Sequence, residues 1–167
     1  MSEVSAAIDQ IRQARRYTED LLQNIPDEYW FSSPPGGVTH VAWQVGHLAV
    51  CEYALALKRV RGVQPDDDQL VSAGDFRLYG KGSEPVFDAS AYPPVVEIRE
   101  LLQSVHQRTL EELAGLDEAT AAEPTSDPPH PMFNTKLGAL VWCAQHEFLH
   151  AGQIGLLRRQ LGLESLR

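Results

Sequence analysis

Apolar residues recur every three to four positions in four separate segments, and no segment sustains the two-residue alternation of a half-buried strand. That pattern restricts the chain to helices that each bury one face. The first segment covers 5–24, with Ile8, Ile11, Leu21, Leu22 and then Ile25 at helical spacing and Pro26 just past its end. The second covers 39–61, where Thr39 is the expected N-cap, Gly62 the expected stop, and Trp43, Val50, Ala54 and Leu57 form a stripe. The third covers 94–116, marked by Val95, Ile98, Leu102, Val105, Leu110 and Leu113. The fourth covers 135–161, with Thr135 as cap and Gly162 as stop. Helices of this size, each about 30 to 40 Å long at 1.5 Å per residue, predict an all-α four-helix bundle.

A chain of 167 residues with 43% hydrophobic content is expected to form a single domain over 1–167 with a sizeable core. The connections exceed what tight antiparallel turns need, so long crossovers are expected. About fourteen residues, including Pro34-Pro35-Gly36-Gly37, join the first two helices, and about thirty, 62–93, join the second and third. The longer one should cross the bundle and cover one end. It carries Asp66-Asp67-Asp68, which lacks the alternating ligand spacing and distal Glu of a calcium loop and reads as a solvated surface loop.

Charge and hydropathy then exclude whole classes of partner. A formal net charge of −9 opposes nucleic-acid binding, and the Arg15-Arg16 and Arg158-Arg159 pairs read as solvated helix surface. No apolar run is long enough for a membrane span, and Met1-Ser2-Glu3-Val4-Ser5 lacks the basic start of a signal peptide. The expected location is cytoplasmic. Two cysteines, Cys51 and Cys143, fit a reducing compartment, although one bridge is compatible with the count.

Chemistry concentrates in His146-Glu147-Phe148-Leu149-His150. Histidines four residues apart lie one above the other on a helix face, so one metal ion can take a nitrogen from each. The spelling matches the zinc-protease motif, but what should follow it is missing. The only later acid is Glu164, close to the C-terminus, and Gln153 and Leu156 stand where the extended protease form needs Gly and His. No sheet edge is predicted to hold an extended peptide. A third ligand is better sought on a neighbouring helix, and His47, in line with Trp43, Val50 and Ala54, is the strongest candidate. Gly46 beside it would allow a close approach by another helix or a ligand. Without a metal, the same histidines read as hydrogen-bonded bundle residues.

Gly46-His47-Leu48 in the second helix, with His146-Glu147-Phe148-Leu149-His150-Ala151-Gly152-Gln153-Ile154 in the fourth, resembles the DinB/YfiT-like superfamily of bacterial four-helix bundles. The resemblance covers essentially the whole chain, and the specific part is the His...His-x-x-x-His-x-Gly-Gln-Ile pattern. It implies that His47, His146 and His150 hold a divalent metal, zinc or nickel. It also implies a metal-dependent hydrolase, or a transferase or isomerase using a low-molecular-weight thiol, and a dimer. Three imidazoles leave such an ion an open position at which water or a thiol loses its proton more easily. The expected reading is therefore a metalloenzyme acting on a small molecule, with a non-catalytic, metal-stabilised stress-response or binding module as the alternative. Zinc, nickel, copper, iron and cobalt all suit three histidines, and no sequence feature marks a dimer interface.

Secondary candidates surround the proposed ligands. Glu147, rotated about 100° from His146, is a candidate acid or base, or else contacts another helix. Gln153 shares the ligand face and is a candidate to hold a bound water, and Gln44, three residues before His47, has a similar claim. Cys51 and Cys143 each lie about one turn from a proposed ligand, which leaves direct ligation open, although buried cysteine commonly behaves as a small apolar residue. Trp43 and Trp142 are expected near the histidine layer. His40 is expected at the mouth of the site or near an exposed helix start, His106 in polar packing, and His130 in a loop among Pro128, Pro129 and Pro131.

Overall fold

Ser2 accepts a hydrogen bond from the backbone N–H of Ser5 at 3.1 Å, so the first helix, α1 (Glu3–Leu22), starts two residues before the expected boundary. It is the first element of a computed structural model that describes residues 2–125 and 130–166; Pro128 and Pro129 lie outside the described residues. The second helical segment comprises α2 (Val41–Glu52), a π-helical stretch (Tyr53–Lys58) and the single turn α3 (Arg59–Arg61), and ends as expected at Gly62, whose φ is 81°. Its cap differs from expectation. His40 holds the extended N-cap conformation and its Nδ1 accepts from Trp43 N–H at 3.1 Å, while the Thr39 hydroxyl accepts from Gln44 Nε2 at 3.0 Å. An imidazole nitrogen can fill the acceptor role of a cap, which releases Thr39 for a side chain one turn on.

The long crossover is partly helical. It holds α4 (Asp67–Leu70) and α5 (Ala73–Tyr79), the latter opened by a capping box between Ser72 and Asp75, and α5 packs on α2. Asp67 corrects the expectation of a solvated acidic loop: it is buried, binds Arg61 at 2.8 Å and accepts from Tyr53 Oη at 2.8 Å. Arg61, chiefly, holds its carboxyl down at about 2. The remaining helices are α6 (Val95–Leu113), α7 (Glu118–Ala121) and α8 (Lys136–Gln160); Thr135 caps α8 through Gly138 N–H, and Gly162 follows with φ 78°. Among the described residues no β-strand forms, and no helix is long and apolar enough to cross a membrane.

The bundle pairs α1 with α8 and α2 with α6, and α2 also meets α8. Its core is divided in two. One apolar cluster gathers Leu21, Trp30, Val45, Leu48, Ile98, Leu102 and Ile154, and the other gathers Val4, Ile8, Ile11, Ala56, Leu113, Leu140 and Ala144. Between them lie Arg15, Glu52 and Glu147, each at most 2% exposed. Arg15 donates to Glu147 at 2.8 Å, to Glu52 at 2.7 Å and to the Leu102 carbonyl at 2.9 Å, and so ties α1 to α8, α2 and α6. The expectation that Arg15 is solvated is therefore wrong, as it is for Arg158, which is buried and donates to the carbonyls of Leu21 and Gln23. In both cases a guanidinium reaches acceptors that only the folded chain assembles.

Candidate metal centre

His47 lies on α2, and His146 and His150 are stacked one turn apart on α8. One nitrogen from each ring falls within 4.8 Å of the others. The ring centroids are separated by 4.6 Å for His47 and His150, 4.5 Å for His146 and His150, and 5.3 Å for His47 and His146. Helical spacing aligns the α8 pair, while the α2–α8 packing brings His47 to it.

Hydrogen bonds orient two of the rings. His47 Nδ1 lies 2.6 Å from the Tyr79 carbonyl, which can only accept, so Nδ1 carries the proton and Nε2 keeps its lone pair. His150 Nδ1 donates to Gln44 Oε1 at 2.6 Å, leaving Nε2 free in the same way. Gln44 is oriented in turn, because its Nε2 donates to Gln153 Oε1 at 2.8 Å and to Thr39. Metal-ligating histidines characteristically donate their second N–H to a carbonyl or carboxylate, and both rings follow that rule.

The tyrosine that supplies the carbonyl is seated by Gly46. A Cβ at position 46 would overlap the Tyr79 ring, so the close approach expected there is made by the crossover. Trp43 stacks on His47 with centroids 4.6 Å apart and planes 13° from parallel, and its Nε1 donates to Ser83 Oγ at 3.1 Å. The crossover thus holds the His47 side of the site at two points, Tyr79 and Ser83.

The site favours neutral imidazole. Burial lowers the pKa of His47. Burial, followed by the neighbouring His47 and His130, lowers His146 to about 4, and burial with His146 and His47 lowers His150 to about 3. Near neutral pH the triad therefore offers lone pairs, as metal coordination requires. The three side chains fit a single divalent ion through their chemistry and convergence, and they can hold one.

A cavity of about 340 Å³ opens against His47 and His146 and is walled by Trp142 and Cys51. Cys51 Sγ lies 3.4 Å from His47 Nε2, and burial pushes its thiol up to about 12. Cys143 instead points into the core, where burial first, and then Glu52 and Glu147, raise it well above the ordinary thiol range.

The other expected residues divide. Gln44 and Gln153 stand behind His150. Glu147, although adjacent to His146 in sequence, points to Arg15 and accepts from it at 2.8 and 3.2 Å. His40 departs from both of its expected settings, since it is fully buried at the α2 cap with Nε2 3.0 Å from the Val86 carbonyl. His106 contacts Glu52 at 2.8 Å, and His130 stacks on Phe133 at 4.4 Å. The Tyr79 carbonyl went unforeseen because a backbone acceptor has no residue-type signal; only Gly46 hinted at a close neighbour.

The sequence model of the DinB superfamily matches residues 10–154, a span that contains all three histidines and most of the bundle. Curated protein sequences gave no match.

Proposed function

The chain belongs to the DinB superfamily, and from that premise we propose that it is a metalloenzyme whose His47, His146 and His150 hold a divalent ion, zinc or nickel, beside a small-molecule pocket. The observation that carries this reading is the convergence of three neutral imidazoles, two with Nδ1 engaged, beside a cavity of about 340 Å³ that His47 and His146 line. Once bound, the ion supplies Lewis acidity that makes a water or a low-molecular-weight thiol easier to deprotonate, which suits hydrolysis or thiol transfer.

The chain's own residues prepare that chemistry. Tyr79 and Gln44 fix the tautomers of His47 and His150, and Trp43 covers one face of the His47 ring. Gln153 acts by fixing Gln44, whose Nε2 donates to its Oε1 at 2.8 Å. Glu147 serves from behind: its bond to Arg15 sets the rotation of α8 that presents His146 to the pocket, a positioning role in place of the proton transfer its place in the motif first suggests.

Metal analysis of the purified protein and of His47→Ala and His150→Ala tests the assignment. Stoichiometric metal in the parent and its loss in both variants is expected, and full retention by both overturns the site. Retained metal with no exchangeable water, combined with a large fall in Tm on chelation, would identify a structural ion and remove the catalytic reading.

A further inference from the structure

The helices that carry the triad run antiparallel: Gln44 meets Gln153, His47 meets His146, and Arg59 reaches Phe133, which precedes α8. Residues after His47 on α2 therefore lie beside residues before His146 on α8. The cavity follows that direction, since Cys51, Ala54 and Leu55 line it from one helix and Trp142 from the other. Trp142 and His146 share a helix face, about 6 Å apart along the axis at 1.5 Å per residue. A ligand group against the indole thus sits about one helical turn from the histidines.

This part of the cavity is apolar because it is the outer surface of the second core cluster. Leu55 belongs to that cluster with Ile8, Ala56 and Leu140, and Trp142 packs against it. A buried thiol such as Cys51 adds to an apolar wall. No carboxylate occurs among the described lining residues, so nothing there invites a cationic group.

The π-helical stretch Tyr53–Lys58 decides what α2 presents. On an uninterrupted α-helix the face that carries His47 and Cys51 would next present positions 54, 55 and 58. Hydrogen bonding from i to i+5 takes roughly one more residue per turn, and Lys58 lines a different cleft with Tyr53, Asp67 and Phe76. Arg59 reaches the cavity in its place, with its guanidinium carbon 5.2 Å from the centre of the Phe133 ring. The small side chain of Ala54 leaves the middle of the wall open. The volume of about 340 Å³ exceeds the roughly 150 Å³ of an apolar cavity that holds benzene.

We propose that the substrate of the triad carries a phenyl-sized apolar group, which seats against Trp142 and Leu55 in the space that Ala54 leaves, while the attached polar group meets the histidines. The inference deepens the metalloenzyme reading and rests on it for which end of the ligand meets the triad.

Benzohydroxamate and acetohydroxamate share a metal-binding head and differ in carrying phenyl or methyl. Titrated into the zinc-loaded full chain, benzohydroxamate is expected to bind at least about tenfold more tightly, as burial of a phenyl group allows, and to shift the Trp142 indole NMR signal. Ala54→Leu, at a half-buried position, fills the space and should reduce the preference to within about twofold, with zinc content and acetohydroxamate affinity retained. Equal measurable binding of the two probes to the parent, an undiminished preference in Ala54→Leu, or an unmoved Trp142 signal overturns the proposal. The Trp142 shift is read in the parent and so does not depend on how the variant folds. Benzyl alcohol separates the two readings, because it carries the ring without the chelating head. It should shift the same Trp142 signal in metal-free protein, and no shift there overturns the apolar seat. Loss of all hydroxamate binding with the benzyl alcohol shift intact would sink the metal reading and leave the seat standing.

Discussion

Two polar assemblies, one partly buried and one sealed, share α2 and α8, and they meet the cost of burial in opposite ways. Cys51 and His146 face the cavity, while their immediate successors, Glu52 and Glu147, turn to Arg15. A rotation of about 100° per helical residue sends consecutive side chains to different sides of each helix. In the histidine triad, burial drives the imidazoles neutral, and one nitrogen of each lies within 4.8 Å of the others. In the sealed layer Arg15 and Glu52 stay charged. Burial opposes the charge on Arg15, but Glu147 and Glu52 outweigh it and raise its pKa, and Arg15 in turn overcomes the burial that would raise Glu52. The first assembly offers three nitrogens that can hold one ion, and the second already has its partners.

The contrast breaks most visibly at Arg15. Arg15→Met should destabilise the protein by about 3–5 kcal/mol in denaturant unfolding, because two buried carboxylates lose their partner. Arg15→Met with Glu52→Gln and Glu147→Gln should recover much of that loss; a single variant near parental stability would show that the layer does not depend on its charge pairing.

Gln44→Leu probes the other assembly. It leaves His150 Nδ1 without its acceptor and should weaken metal binding by roughly 10–100-fold in a competition titration, with little change in unfolding free energy. An unchanged affinity would mean that the tautomer is set without Gln44. Gly46→Ala should cost about 1–3 kcal/mol, since the added methyl overlaps the Tyr79 ring and disturbs the carbonyl that orients His47. Metal affinity should fall with it.

The gentlest test is acidification of metal-free protein. His146 and His150 have lower pKa values in the fold, about 4 and about 3, than the ordinary 6.5, so below pH 6.5 the unfolded chain binds more protons than the folded one. Stability should therefore decline progressively as pH falls from about 6.5 towards 3, and His146→Gln/His150→Gln should flatten that decline. Identical pH profiles for the two proteins would contradict the neutral triad.

Much of the bundle was legible because helical periodicity is a local property. The caps at Thr135 and the stops at Gly62 and Gly162 followed from residue type, and so did the stacked pair His146 and His150. His47 was found by its place on an apolar face. The failures at Arg15 and Arg158 share one cause: a charged residue reads as solvated when its acceptors lie far away in sequence. Arg15 meets Glu147 across 132 positions and Arg158 meets Leu21 across 137. Asp67 was misread for a related reason, since Arg61 becomes its partner only after the chain turns at Gly62.

By itself, then, the sequence determined four helical segments, most of their boundaries and a histidine pair with metal-ligand spacing, because each depends on contacts within a few residues. Only the tertiary structure decided which nitrogen of His47 and His150 is free, that Glu147 serves the core, and that Arg59 instead of Lys58 reaches the cavity. Those outcomes depend on a carbonyl from the crossover, a guanidinium from α1 and a π-helical change of register, and none of these leaves a periodic trace along the chain.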